Sequence, residues 1–80
     1  MQARVFVTLK TGVLDPQGEA VRHSLATLGF EGIGSVRQGK VIDIEFDETD
    51  PERAETRLRD MCEKLLANTV IEDYRLEIVA

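Results

Sequence analysis

The sequence predicts an α+β fold, a two-layer sandwich in which an antiparallel sheet carries two helices on one face. Stretches that alternate apolar and polar residues stand near both ends of the chain and in its middle. Two helical stretches separate them, and both open with an Asp-Pro pair, at Asp15–Pro16 and Asp50–Pro51. The order β-α-β-β-α-β is the split βαβ, or ferredoxin-like, plan. We expect residues 1–80 to form one domain.

The first strand is predicted at residues 3–10, ARVFVTLK, where alternate residues are apolar and share one face. The first helix runs from about Pro16 to Leu28. Asp15 caps its start, and proline suits its first position. Gly29 is predicted to end it in a Schellman motif. Its apolar stripe, at spacings i, i+4 and i+7, consists of Val21, Leu25 and Leu28.

A β-hairpin is predicted next, with a short strand around Ser35–Gln38, a turn at Gly39–Lys40 and a longer strand from Val41 to Phe46. The second helix opens at Asp50–Pro51. Its broad core-facing stripe comprises Ala54, Leu58, Met61, Cys62, Leu65 and Leu66. The last strand is IEDYRLEIV, residues 71–79, in which apolar and charged residues alternate.

The sheet face away from the helices is predicted to be mostly polar, with Phe6 as its apolar exception. Val41 and Val79 are candidates to join Phe6 there. The charged and polar residues of this face are Arg4, Thr8, Asp43, Glu45, Arg75 and Glu77. An apolar patch ringed by charges of both signs is typical of a surface for self-association.

Composition narrows the classes of function. The chain has 15 acidic and 10 basic residues, a net charge of −5, and few aromatic residues, three Phe and one Tyr. A nucleic-acid surface needs a basic face and stacking aromatics, so no nucleic-acid partner is expected. The apolar runs are too short to span a membrane, and the N-terminal MQARVFVTLK lacks the apolar core of a signal peptide. These features predict a cytoplasmic protein.

Residues suited to catalysis or metal binding are few and scattered. His23 is the sole histidine, and its helical position predicts an exposed side chain with no nucleophile beside it. Cys62 lies in line with apolar residues, which predicts a buried, unreactive thiol. Carboxylates occur at every second position in Asp43, Glu45 and Asp47. This alternation is typical of a sheet face exposed to solvent. No catalytic constellation, cofactor site or metal site is therefore expected in this chain.

Two short motifs contain residues that helix capping and turn formation do not require. Gly18 lies in the first turn of the first helix, where glycine costs about 0.5–1 kcal/mol relative to alanine, and Gln17 adds an amide that capping does not need. The second helix has Glu52 and Arg53 at these positions. NTVIED, residues 68–73, is similarly specific. We predict that Gln17 and Gly18 pack closely against another chain; the alternative is that both motifs only fix the ends of helices and strands.

Three stretches together resemble a known family. VTLKTGVLDPQGEAV is followed by LGF, VRQGK stands in the middle, and MCEKLLANTVIEDYRLEI leads into the last strand. They are similar to the PurS family, the small subunits of bacterial and archaeal phosphoribosylformylglycinamidine (FGAM) synthase. The resemblance covers nearly the whole chain. One departure is Thr69, where the family typically has proline.

The resemblance implies a place in purine biosynthesis. FGAM synthase is an ATP- and glutamine-dependent ligase that converts formylglycinamide ribonucleotide to the amidine. Its large subunit, PurL, binds ATP, magnesium and substrate, and its glutaminase, PurQ, releases ammonia. PurS joins the two and supports ammonia transfer, is not catalytic alone, holds no cofactor and associates with itself as dimers or dimers of dimers. This agrees with the absence of a catalytic pattern in the sequence.

The residues expected to carry this role are candidates for subunit contacts with PurL, PurQ or a second PurS. They are Phe6, Gln17, Gly18, Arg37, Lys40, Asn68, Glu72, Asp73 and Tyr74. An alternative function is that of a small-molecule sensor like the ACT domains, which share this fold plan and bind amino acids at dimer interfaces. A stand-alone enzyme has little support from the residues.

Overall fold

A computed structural model describes residues 1–79 of the chain. Its elements follow in the order β1 (Gln2–Leu9), α1 (Pro16–Thr27), β2 (Lys40–Glu45), α2 (Pro51–Met61) and β3 (Glu72–Ile78). A π-helical turn, Cys62–Leu66, continues α2. The antiparallel sheet with two helices confirms the predicted α+β class. No helix within residues 1–79 has the length and apolar character needed to cross a membrane.

The sheet has the order β2-β1-β3, with β1 antiparallel to both neighbours. Val5 lies opposite Ile42 and Leu76 on the core face, as the alternation predicts. On the other face, Phe6 lies under the guanidinium of Arg75, 4.1 Å from the ring centroid. This face therefore has the polar character predicted for it, with its one aromatic ring covered by a cation.

The core lies between the sheet and α2. Leu58 and Cys62 are fully buried against β1, and Asp50 caps the helix by accepting a hydrogen bond from the Glu52 amide. The Ala67 amide bonds to the carbonyl of Cys62, five residues back. This wider winding turns Leu65 outward to 83% exposure, so its predicted core position is wrong.

Helix α1 ends as the sequence predicts but packs little against the sheet. Gly29 has φ +95°, and the Phe30 amide bonds to the Leu25 carbonyl, so the predicted Schellman ending is confirmed. Within residues 1–79, however, α1 has no extensive contact with the strands or with α2. Its predicted apolar stripe is mostly uncovered, with Val21 exposed and Leu28 74% exposed.

Residues 30–39, here called the arm, connect α1 to β2 without forming a helix or a strand. The predicted short strand at Ser35–Gln38 and the predicted turn at Gly39–Lys40 are therefore wrong for this chain: the arm leads into β2 without a hairpin turn. The radius of gyration is 16.0 Å, against about 12 Å for a compact domain of this length. The longest dimension is 49 Å, so the arm and α1 make the molecule elongated.

Candidate functional site

A groove of about 480 Å³, lined by both apolar and polar residues, lies where β1 ends and where β2 and β3 begin. It brings together residues from all three stretches that the sequence singled out. Gln17 comes from the start of α1, Lys40 from the start of β2 and Glu72 from the start of β3. The complete lining is Val7, Leu9, Asp15, Pro16, Gln17, Gln38, Gly39, Lys40 and Glu72. Three of the nine predicted candidates thus share one surface.

Asp15 ties the start of α1 to the arm. One carboxylate oxygen accepts a hydrogen bond from the Gly18 amide at 2.8 Å, which is the predicted cap. The other accepts one from the Gln38 amide at 2.7 Å. These backbone donors, Gln38 first, hold the pKa of Asp15 below its usual value. Sequence reasoning found the cap but missed the second contact, because its donor is a backbone amide 23 residues away.

Gly18 is buried against the arm. A Cβ atom at this position would lie 2.3 Å from the carbonyl oxygen of Val36, closer than real Cβ contacts allow. The structure therefore explains the costly glycine by a close approach within its own chain. Gln17 has no such explanation: it is exposed, and within residues 1–79 its side-chain amide has no hydrogen-bond partner.

Arg37 holds the loop that follows β1. Its guanidinium donates to the carbonyl of Val13 at 2.9 Å and to that of Lys10 at 3.0 Å. A weaker contact reaches the carbonyl of Leu9 at 3.4 Å. Arg37 and Asp15 thus fasten the arm and the loop to each other from both sides. Arg37 positions one wall of the groove and does not line it.

Glu72 and Asn68 shape the turn before β3. The Glu72 carboxylate accepts a hydrogen bond from the Asn68 amide at 2.7 Å, and the Asn68 side chain accepts one from the Val70 amide. The second Glu72 oxygen lies 4.0 Å from the Lys40 ammonium. Glu72 is therefore largely engaged within the chain, whereas Lys40 and Gln17 present donors at the mouth of the groove.

The structure places the other candidates elsewhere. Phe6 and Asp73 lie on the polar sheet face, where Asp73 pairs with the Lys10 ammonium at 2.9 Å. Tyr74 lies on the core face of β3 and packs against the core. The nine candidates thus do not form a single site.

His23 and Cys62 occupy their predicted positions. His23 is exposed, and Cys62 is buried, which raises the pKa of its thiol by desolvation. A thiol with a raised pKa is a poor nucleophile at neutral pH. No cluster of three potential metal ligands occurs among residues 1–79.

The hydrogen bonds of Asp15 predict how the stability of the fold depends on pH. Its pKa is lowered in the folded state, so its contribution to stability is complete above the unfolded pKa of about 4 and is lost as the pH falls through the folded pKa. We expect Asp15→Asn to lower Tm by several degrees at pH 7 and to lower it less at pH 3. Thermal unfolding followed by circular dichroism at both pH values measures this difference.

Glu31→Gln is the matched control, since Glu31 is exposed on the arm and has no hydrogen bond or ion pair among the described residues. It should follow the wild type at both pH values. An Asp15→Asn deficit of equal size at pH 7 and pH 3 would contradict the assignment.

The strand order and the groove define a small α+β protein with a three-stranded antiparallel sheet and a recess at one end of that sheet. The family model PurS, described as phosphoribosylformylglycinamidine (FGAM) synthase, matches residues 2–80. The chain belongs to the PurS family of FGAM synthase subunits, which act in purine biosynthesis.

Relatives and solved structures agree over nearly the full length. The FGAM synthase subunit PurS of Synechocystis sp. is 48% identical over 77 residues, which are 96% of this chain and 77% of that protein. The structure of Bacillus subtilis PurS is 46% identical with a TM-score of 0.84, covering 95% of this chain and 94% of that one. A chain in the structure of PurLQS from Thermotoga maritima is 30% identical with a TM-score of 0.84, covering 95% and 93%.

Proposed function

We propose that this chain is a non-catalytic subunit that supports the assembly of PurL with the PurQ glutaminase and the transfer of ammonia between them. The supporting observation is the likeness, over 95% of the chain, to a chain of the Thermotoga maritima PurLQS structure. In this proposal, ATP and magnesium are bound by PurL, glutamine is hydrolysed by PurQ, and this chain, as a single domain in the cytoplasm, contributes binding surfaces only.

The groove is the surface we assign to a partner subunit. Lys40 and Gln17 supply exposed donors, and the hydrogen bonds of Asp15 and Arg37 hold the walls in place before any partner arrives. Such preorganisation lowers the entropic cost of docking. Carboxylates or backbone carbonyls on the partner are the chemical groups that these donors fit.

Self-association, as a dimer or a dimer of dimers, is the second part of the proposal. An 80-residue chain builds a small core, and association is a common way to supplement it. The exposed apolar side chains of α1 and the arm offer the surface for this, and they include Val21, Leu28, Phe30 and Ile33.

Reconstitution tests the subunit role. Purified PurL and PurQ from the same organism are assayed for FGAM formation with glutamine, with and without this chain, and with ammonium as the alternative nitrogen donor. We expect the chain to be required with glutamine and dispensable with ammonium. Full glutamine-dependent turnover without it would show that the proposal is wrong.

Lys40→Ala tests the groove in the same assay. We expect the subunit concentration for half-maximal glutamine-dependent activity to rise about tenfold, which corresponds to about 1.4 kcal/mol of binding free energy. The ammonium-dependent rate should not change. Lys64→Ala is the matched control, because Lys64 is also an exposed lysine beside one carboxylate, Asp60, but lies far along the chain after α2. Equal effects of both variants would exclude the groove as the contact.

A further inference from the structure

The sheet of this chain ends in an open edge along β3, whose strand neighbour within residues 1–79 is β1 alone. The Lys10 amide bonds to the Ile71 carbonyl, and the Val79 amide bonds to the Gln2 carbonyl, both at 2.8 Å. Bonded pairs recur at every second residue of an antiparallel ladder, so alternate residues of β3 between these two points also bond to β1. The residues that do so are Asp73, Arg75 and Glu77.

The intervening residues of β3 direct their backbone donors and acceptors away from β1. They are Tyr74, Leu76 and Ile78, and their N–H groups are here called the edge amides. Their side chains lie on the core face, where they are half-buried. The pairing with β1 runs without interruption and β3 contains no proline. A regular edge of this kind is a template for a further strand.

Helix α2 gives this edge a wall. The helix packs against β3, and a recess of about 550 Å³ is formed by residues of both elements. Its lining consists of Glu55, Arg59, Tyr74, Arg75, Leu76 and Ile78. Sites that bind by strand addition combine main-chain hydrogen bonds at an edge with pockets for alternate side chains. The β3 edge has both parts, whereas α2 makes no extensive contact with β2.

The charges that line the recess compensate one another. Arg59 and Glu55, both from α2, pair at 2.9 Å. Arg75 lies 3.6 Å from Glu77 and covers the ring of Phe6 on the opposite face of the sheet. A charged side chain that entered the recess would lose hydration and meet no unpaired opposite charge. The recess therefore fits an uncharged segment with apolar side chains.

Both walls are held in place within the chain. Asp50 caps the start of α2, and the Glu48 carboxylate accepts hydrogen bonds from the amides of Thr49 and Asp50. Leu58 and Cys62 anchor the helix in the core. A recess that is formed in advance lowers the entropic cost of binding an extended segment.

We infer that an extended, uncharged segment of another subunit of the synthase adds to β3 as an antiparallel outer strand. Its backbone bonds to the edge amides and to the carbonyls of the same three residues. Directly opposed residues of an antiparallel pair share a face, so alternate side chains of the segment enter the recess beside α2. The inference rests on the subunit role proposed above. It concerns a second contact, because the recess and the groove at Lys40 share no lining residue.

A second copy of this chain fits the recess less well than such a segment does. In each copy α2 covers the core face of β3, so pairing two β3 strands would bring a second helix beside the first. Paired strands lie about 4.8 Å apart, whereas packed helices need about 8–10 Å between their axes. A segment with no helix above its paired residues leaves the recess free for its own side chains.

Hydrogen exchange in the assembled complex tests the added strand without altering the chain. Isotopically labelled chain is mixed with PurL and PurQ, and the exchange of its amides is measured residue by residue. We expect the edge amides to exchange at least about tenfold more slowly in the complex than in the chain alone. The amides of Asp73, Arg75 and Glu77 are the internal control, because they bond to β1 in either state.

Two results of this experiment would overturn the inference. One is that the edge amides exchange as fast in the complex as in the chain alone. The other is that concentrating the chain alone protects them to the same extent, which would place a second copy at this edge.

Leu76→Pro tests the same edge by removing its central donor. Proline is tolerated where the amide faces away from the sheet, so the fold should persist. Leu76→Ala is the matched control, since it shortens the same side chain and keeps the amide. We expect the proline variant to need at least about tenfold more chain than the alanine variant for half-maximal glutamine-dependent activity. Equal requirements would overturn the inference; if the proline variant loses its circular dichroism, the exchange data decide.

These outcomes are separate from the subunit role. Glutamine-dependent activity that requires the chain, together with freely exchanging edge amides in the complex, would retain the subunit role and reject the added strand. Edge amides that PurL and PurQ protect, without any need for the chain in glutamine-dependent turnover, would do the reverse.

Discussion

Replacing Leu58 with alanine is expected to lower the free energy of unfolding by about 2–5 kcal/mol. Leu58 is fully buried on α2, in the core cluster that contains Val5, Val7 and Cys62. Helix α2 is the helix that covers the sheet within one chain. No other helix can therefore move in to fill the cavity that the shorter side chain leaves. The whole stability of a domain of this length is about 4–12 kcal/mol, so the variant should be close to unfolding at 37 °C.

Urea unfolding followed by circular dichroism measures this loss. Leu65→Ala is the matched control, since it removes the same atoms from the π-helical turn after α2, where Leu65 is 83% exposed. We expect it to change stability by less than about 0.5 kcal/mol. Equal losses in the two variants would show that Leu65 is buried, as the sequence pattern predicts, and that the winding of this turn is not as described.

The parts of the fold that local chemistry determines were predictable. Alternation places Val5 on the core face and Phe6 on the polar face, because successive side chains of a strand point to opposite sides. Asp15, Asp50 and Gly29 act where the sequence places them, because caps and left-handed stops need only neighbouring residues.

The arm could not be predicted from local pattern. A hairpin and a strand that continues in line can share the same apolar alternation, and only the position of a distant partner distinguishes them. The same limit applies to Leu65. Its helical spacing is correct for a 3.6-residue repeat, and the bond from Ala67 to Cys62 changes that repeat in the last turn.

The candidate site, like the fold, was predictable from the sequence in part. Gln17 and Glu72 were predicted because their motifs exceed what the local structure needs, and Lys40 because it is a cation of the VRQGK stretch that resembles the family. The contacts that hold the groove were missed, since Asp15 and Arg37 bind backbone groups of Gln38 and Val13, which any residue supplies. A backbone partner has no residue type by which the sequence could reveal it.

Replacing Gly18 with alanine is expected to lower the free energy of unfolding by about 1–3 kcal/mol, the typical cost of an overpacked site. The added Cβ would meet the Val36 carbonyl at 2.3 Å and the Asp15 carboxylate at 2.8 Å. Relief requires the arm to move away, which also breaks the hydrogen bond from Gln38 to Asp15. Gly34→Ala is the matched control, because a Cβ at Gly34 in the arm would meet nothing within 4 Å.

The sign of the Gly18→Ala effect separates the two explanations of this residue. Alanine is favoured over glycine inside a helix by about 0.8–1.0 kcal/mol, so without the contact to the arm the variant would be more stable than the wild type. Destabilisation of the isolated protein, measured by urea unfolding beside Gly34→Ala, therefore demonstrates the packing against Val36. A stabilised variant that no longer supports glutamine-dependent activity would instead place the close contact of Gly18 on another chain.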